Sequence, residues 1–275
     1  MKIAISGKGG VGKTSLTAWL GDYLARRGEK VWLVDADTAL SLGQASGLDR
    51  AALPEPLTGR AALIEERIRP AGKGGMMDLD PHVSDLPEVL SAPLPLAGPV
   101  QAAQGEKRLL VMGPLTNAGG GCACEGNALL KALLAHLVLD RREWVLVDME
   151  AGVEHLGRGT VAHVDALLVV AEPSMRSLET AAEVARMASD LGLRRQVLVV
   201  NKATPQQAAQ LPPLAHLPEQ RLSMPDLEAL RQRQLYSGSV LGLGQQTEEE
   251  LDAFCEALLQ QIEQSASLAN SGPAK

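Results

Sequence analysis

The first turn of the chain constrains it most. An apolar run, Lys2-Ile3-Ala4-Ile5-Ser6, gives way to Gly7-Lys8-Gly9-Gly10-Val11-Gly12-Lys13-Thr14, and an amphipathic run over 15–27 follows. Strand, glycine-rich turn and helix, in that order, make a phosphate-binding loop. The glycines let the backbone curl so that successive N–H groups point inward at phosphate oxygens. The helix that follows adds its positive N-terminal end. In this spacing Lys13 reaches the β- and γ-phosphates and the Thr14 hydroxyl can ligate Mg²⁺. Gly7, Gly9, Gly10, Val11, Gly12 and Ser15 complete the expected nucleotide-binding loop, and Lys8 adds a second cation among the glycines. The expected architecture is α/β: a mostly parallel, doubly wound sheet with helices on both faces.

With 275 residues, 45% of them hydrophobic, the chain suits one large domain, expected over 1–264 with a disordered tail over 265–275. Aromatic residues make up 2%, so the core must come from Val, Leu, Ile, Ala and Met. The net charge is −7, and pairs such as Arg26-Arg27, Arg141-Arg142 and Arg194-Arg195 never grow into a basic tract. That argues against a nucleic-acid partner. No apolar segment is long enough to span a bilayer, and Lys8 and Lys13 interrupt any N-terminal signal pattern, so a cytoplasmic protein without a membrane partner is expected. In that compartment the three cysteines do not serve as structural disulfides.

After Gly28, a helix stop, residues 30–34 form a buried strand that ends in Asp35-Ala36-Asp37. Acids at the carboxyl end of a parallel strand sit where open α/β sheets bind ligands. Asp37 is the candidate to orient an attacking water or hold the Mg²⁺ shell, with Asp35 bracing the loops; the competing reading has these polar residues cap a helix over 38–46. Residues 50–105 read as an irregular insertion rich in proline and glycine, with a short helix over 61–67 and a short strand over 76–79. The sheet resumes over 108–112.

A second chemical feature is Cys122-Ala123-Cys124, flanked by glycines and placed before a helix expected over 127–139. A helix start lowers thiol pKa, and thiolates bind soft metals. One chain supplies two sulfurs, half of a four-sulfur site, and a two-fold dimer would complete it. Four thiolates suit tetrahedral Zn²⁺ or square-planar Ni²⁺.

The strand 144–148 ends in Asp148, a candidate to accept from Thr14 or from a Mg²⁺-bound water, and Gly152 lies where its N–H could sense the γ-phosphate. Strands over 166–171 and 196–200 flank a helix over 177–191. The second of these strands runs into Asn201-Lys202, a purine-base grip. Thr204 occupies the place where guanine-specific proteins carry an Asp, which favours ATP. Met224, Pro225 and Asp226 follow a strand over 221–224 and complete the candidate base pocket. The C-terminal helix is expected to open with a capping box, Thr247 to Glu250, and to bury Leu251, Phe254, Leu258 and Ile262 on one stripe. Its acidic face, with Glu248, Glu249, Glu250, Asp252 and Glu256, is unlike a membrane anchor, and Cys255 is expected in the core.

The run Lys-Gly-Gly-Val-Gly-Lys-Thr over 8–14 resembles the deviant Walker A loop of the MinD/ParA-like ATPases. In that family the early lysine crosses a dimer interface to the partner's phosphates. The resemblance therefore implies a nucleotide-sandwiched homodimer with Lys8, Lys13, Asp37 and Asp148 as its catalytic set. The Cys-x-Cys, together with Val34 to Asp37, Asp148 to Gly152 running into Glu154-His155-Leu156, Arg158-Gly159-Thr160, Glu172-Pro173 and Asn201-Lys202, resembles the CooC-type nickel-insertion ATPases. That resemblance implies Ni²⁺ (or Zn²⁺) held by Cys122 and Cys124 of both subunits and delivered to apo carbon monoxide dehydrogenase at the expense of ATP. Two residues depart from the family pattern: Thr38 stands where a proline commonly follows the switch aspartate, and Glu150 where a small residue is usual. Three rival functions use the same features: an ATPase switch positioning other cargo, a nucleotide-gated metal store, and an iron–sulfur reductase. The short spacing of the two cysteines counts against the last.

Overall fold

The computed structural model describes residues 1–69, 78, 81–97, 105–113, 129, 132–133, 136, 143–150, 164–224 and 226–270. Its strands are β1 (Lys2–Gly7), β2 (Lys30–Ala36), β3 (Ser91–Pro93), β4 (Glu106–Val111), β5 (Trp144–Met149), β6 (Ala166–Ala171), β7 (Gln196–Asn201) and β8 (Arg221–Met224). Its helices are α1 (Lys13–Arg26), α2 (Leu42–Ala45), α3 (Ala61–Ile68), α4 (Leu86–Leu90), α5 (Met175–Asp190), α6 (Pro205–Ala209), α7 (Glu228–Gln234) and α8 (Gln245–Asn270).

The strands join in one eight-stranded sheet, in the order β3-β4-β2-β5-β1-β6-β7-β8. Every pairing is parallel except β3 with β4. Strands buried on both faces read as continuous Val, Leu and Ile rather than alternating with polar residues, and β6 and β7 are buried at every position. Successive side chains enter opposite layers. From β7, Leu198 and Val200 join one core, with Leu178, Ala181 and Val184 of α5; Val197 and Val199 join the other, with Leu16 and Leu20 of α1 and Leu251, Phe254 and Leu258 of α8. Helices thus cover both faces of the doubly wound sheet. Because the central strands run parallel, the carboxyl ends of β1, β2, β5, β6 and β7 meet along one edge of the sheet.

Several expectations need correction. The 38–46 helix shrinks to Leu42–Ala45, because carboxylates draw the preceding amides into a turn in which Leu40 takes a left-handed φ of 47°. The C-terminal helix starts at Gln245, so Thr247 lies inside its first turn rather than capping it. Backbone bonding from Glu248 N to the Gly244 carbonyl carries the helix past the supposed cap. The helix also runs on to Asn270, through residues assigned to a disordered tail; Ser265 is buried and donates to the Ile262 carbonyl at 2.7 Å. In the 50–105 stretch the helix at 61–68 is present, and an unanticipated edge strand, β3, ends in Pro93, where a missing N–H is tolerated. The strand expected over 76–79 falls, apart from Asp78, outside the described residues. Of the helix expected over 127–139, the described residues Leu129, Ala132, Leu133 and His136 are helical, with Leu129 and Leu133 in the core.

Candidate functional site

The glycine loop connects β1 to α1 at the sheet's carboxyl edge, beside the switch point: the chain leaves β1 for β2 on one side, whereas β5 is followed by β6 on the other side of β1. Gly7 has φ 150°, and a Cβ there would lie 2.1 Å from the Val170 carbonyl oxygen of β6, so only glycine lets β1 turn away at that point. Gly12, at φ 100°, precedes α1 and provides no side-chain cap to its first-turn amides. A Cβ on it would lie 2.4 Å from Asn201 Nδ2. The uncapped start of a long helix leaves N–H donors for an anion.

Around this loop the sequence candidates converge. Thr14 Oγ1 donates to Asp148 Oδ2 at 2.6 Å. Lys13 Nζ, almost wholly buried, lies 3.5 Å from Asp37 Oδ2 and 3.5 Å from the Lys8 carbonyl. The same Lys8 carbonyl accepts from Val11 N at 3.4 Å, closing the loop on itself. Asn201 Nδ2 donates to the Val11 carbonyl at 2.7 Å, and Asn201 Oδ1 accepts from Lys202 N at 2.8 Å. The Asn201 amide therefore buttresses the glycine loop. Lys202 Nζ pairs with Glu172 Oε1 at 2.7 Å, linking the ends of β7 and β6. Met224 is fully buried near Gly12, whereas Asp226 is exposed and paired with Arg231. Cys122, Cys124, Gly152 and Pro225 lie outside the described residues, as do Glu154, His155 and Arg158.

One arrangement escaped the sequence reading. Asp35 and Asp148 are register partners on the neighbouring strands β2 and β5. Both are buried. Burial first, then the charge of Asp148, pushes the Asp35 carboxyl up to about 7. Two backbone amides, Leu42 N at 3.0 Å and Asp37 N at 3.4 Å, act against this. Burial raises Asp148 to about 6, against the Thr14 hydroxyl and Lys13. Asp148 Oδ1 is buried and has no hydrogen-bond partner among the described residues. An orphaned carboxylate oxygen beside a threonine hydroxyl, below an anion-binding loop, fits a hydrated Mg²⁺. The signal was present in the sequence as two apolar strands each ending in an acid, but only the strand order makes them neighbours.

The sign of the pH effect follows. Folded Asp35 and Asp148 keep protons that the unfolded chain has released above about pH 4, so stability falls as pH rises from there through about 7. Without Mg²⁺ or nucleotide, unfolding free energy from urea titrations is expected to drop by about 4 kcal/mol between about pH 5 and pH 8, about two thirds of it from Asp35. A flat or rising profile would show that the pair is not protonated in the apo fold.

The loop, the paired acids at the strand ends and the parallel sheet define a nucleotide-binding protein of the P-loop class. The sequence profile of the family described as CobQ/CobB/MinD/ParA nucleotide binding domain matches residues 2–233, and the chain belongs to that family. It is 39% identical over 205 residues to the carbon monoxide dehydrogenase accessory protein CooC of Rhodospirillum rubrum, covering 74% of each chain. It is 41% identical over 204 residues to an uncharacterised ATP-binding protein of Methanocaldococcus jannaschii, covering 74% of this chain and 75% of that one. Among solved structures, the septum site-determining protein MinD of Pyrococcus horikoshii, complexed with Mg-ADP, shares the fold with a TM-score of 0.60 at 18% identity, over 94% of this chain and 96% of that one.

Proposed function

We propose that the protein hydrolyses ATP to ADP and phosphate, and that this drives a homodimer cycle which loads nickel into carbon monoxide dehydrogenase. The observation that carries the ATPase reading is the convergence of Thr14 on Asp148, with the orphaned Asp148 oxygen beside it. Gly7 to Ser15 cradle the phosphates with backbone amides and the start of α1. Lys13 turns from Asp37 to the β- and γ-phosphates, and Lys8 reaches across to the nucleotide of the other subunit. Thr14 and Asp148 hold the Mg²⁺ shell. When bound, Mg²⁺ neutralises charge on the phosphate oxygens. Asp37, released from Lys13, orients the attacking water, and Gly152 reports the loss of the γ-phosphate. Asn201, Lys202, Met224, Pro225 and Asp226 surround the adenine. Catalysis of this kind is positioning and charge neutralisation rather than covalent chemistry.

Similarity to the carbon monoxide dehydrogenase accessory protein CooC supports the client. Cys122 and Cys124 from two subunits supply four thiolates for Ni²⁺, with Zn²⁺ as a competitor for the same donors. The cycle runs in the cytoplasm without nucleic acid or membrane; no described helix is long and apolar enough to cross a bilayer. The test is native mass and metal content of the protein loaded with Ni²⁺, with and without MgATP, for the wild type and the Cys122→Ala/Cys124→Ala variant. The expected wild-type result is a dimer holding one nickel per two chains, and the variant should lose that metal while keeping ATP hydrolysis. Metal retained by the double variant would end the thiolate reading and leave a generic dimeric ATPase.

A further inference from the structure

The segment that follows β2 is held by carboxylates. Asp35 Oδ1 and Oδ2 accept from Asp37 N at 3.4 Å and Leu42 N at 3.0 Å, and Asp37 Oδ1 accepts from Ala39 N at 3.0 Å. These are contacts of the segment with itself and with its own strand. The amide between them, Thr38 N, instead goes to Glu150 Oε1 at 3.1 Å, a carboxylate at the end of β5. The Glu150 backbone is itself anchored, since Ser6 Oγ of β1 donates to its carbonyl at 3.0 Å. Leu40, two residues past Thr38, sits at φ 47°, a conformation that costs a non-glycine residue energy and persists only when its surroundings enforce it.

From this geometry we infer that Glu150 is a positioning residue for hydrolysis: it holds Thr38, and with it Asp37, in place once phosphates draw Lys13 away from Asp37. The inference rests on the reading of Asp37 as the group that orients water. Ties from other elements hold this segment on two sides, through Lys13 at the Asp37 side chain and through Glu150 at the next amide. Phosphate oxygens, carrying more charge, outcompete the 3.5 Å contact of Lys13 with Asp37. When Lys13 leaves, the bond from Glu150 to the Thr38 amide is the tie from outside the segment that needs no rearrangement. A charge-assisted bond to a fixed backbone amide suits this task, because it constrains the main chain next to Asp37 without touching the phosphates. The alternative role for Glu150 is a negative charge that repels the γ-phosphate. It makes the opposite forecast for neutralisation, since Glu150→Gln keeps an acceptor for Thr38 N but removes the charge.

The experiment measures steady-state ATP hydrolysis and binding of a fluorescent ATP analogue on the full-length protein, with Mg²⁺. The variants are Glu150→Ala, Glu150→Met, Glu150→Gln, Asp37→Ala and Asp37→Ala/Glu150→Met. The methionine keeps the stem packed if alanine loosens the fold. Loss of the acceptor is expected to lower kcat roughly tenfold, the scale of one hydrogen bond to a charged group, with nucleotide affinity and KM within about twofold. Glu150→Gln should stay within about threefold of wild type, and Glu150→Met should slow Asp37→Ala no further. An unchanged kcat in both Glu150→Ala and Glu150→Met, a faster Glu150→Gln, or additive losses in the double variant each overturns the inference. If Asp37→Ala itself hydrolyses ATP at the wild-type rate, the reading of Asp37 fails, and the role of Glu150 falls with it. A slow Asp37→Ala beside normal Glu150 variants removes Glu150 alone.

Discussion

Lys13→Ala is expected to lower ATP hydrolysis by roughly 10²–10³-fold or more, the range seen when one preorganised charge-stabilising group is removed. Lys13 is 5% exposed, so its ammonium acts where water screens it little. Its Nζ lies 3.5 Å from both Asp37 Oδ2 and the Lys8 carbonyl. Those are long, weak contacts that phosphate oxygens can readily replace. The variant should fold, because Asp37 keeps access to solvent and can rehydrate when its partner is lost. Nucleotide affinity should fall by less than turnover, since the amides of the glycine loop and the start of α1 still bind phosphate. Parallel measurement of turnover and of fluorescent-nucleotide binding checks this. A variant that hydrolyses ATP within threefold of wild type would reduce Lys13 to a structural partner of Asp37 and remove the catalytic role proposed for the loop.

What could be read from the chain divides along a physical line. The parallel strands were legible because they are buried on both faces and therefore appear as unbroken apolar runs, as in Ala166–Ala171 and Gln196–Asn201. The glycine loop was legible because its chemistry is local: Gly7, Gly12, Lys13 and Thr14 act within one turn of chain. The turn over 38–41 was not, since its conformation is set by Asp35, Asp37 and Glu150 drawing amides into side-chain bonds, and such competition with helix leaves no periodicity. β3 escaped because three residues ending in Pro93 carry no period at all. The pairing of Asp35 with Asp148 depends on which strands become neighbours, a property of topology rather than of either segment. The cysteine pair was conspicuous in sequence, and its geometry lies outside the described residues.

A further feature invisible in sequence should dominate stability. Asp22 of α1, Lys107 of β4, Arg26 of α1 and Asp252 of α8 form one network, with the first three almost wholly buried. Asp22 accepts from Lys107 Nζ, from Arg26 Nε at 2.8 Å and from Ala97 N at 3.0 Å. Arg26 in turn grips Asp252 with its two terminal guanidinium nitrogens, and the Asp252 bond, ahead of that to Asp22, holds its pKa up. Burial lowers the pKa of Lys107, with Asp22 opposing the shift. The partners lie 85 and 226 residues apart, so nothing local in the sequence links them. Asp22→Ala would strand the Lys107 ammonium in the core and leave the Ala97 amide unpaired. Breaking a buried pair in this way costs about 3–5 kcal/mol. Against a total stability of roughly 5–15 kcal/mol, that is a large share. The control is Asp22→Leu/Lys107→Met, which removes the stranded ammonium and should recover part of the loss, the remainder reflecting the Ala97 amide and Arg26 Nε that still lack their Asp22 acceptor. Urea denaturation midpoints decide the matter. A cost below about 1 kcal/mol for Asp22→Ala, or a double variant weaker than the single, would mean the charges are solvated rather than locked. The expected outcome would show that the far end of α1, the helix whose start carries the phosphate loop, is fastened to β4 and to α8 by charge.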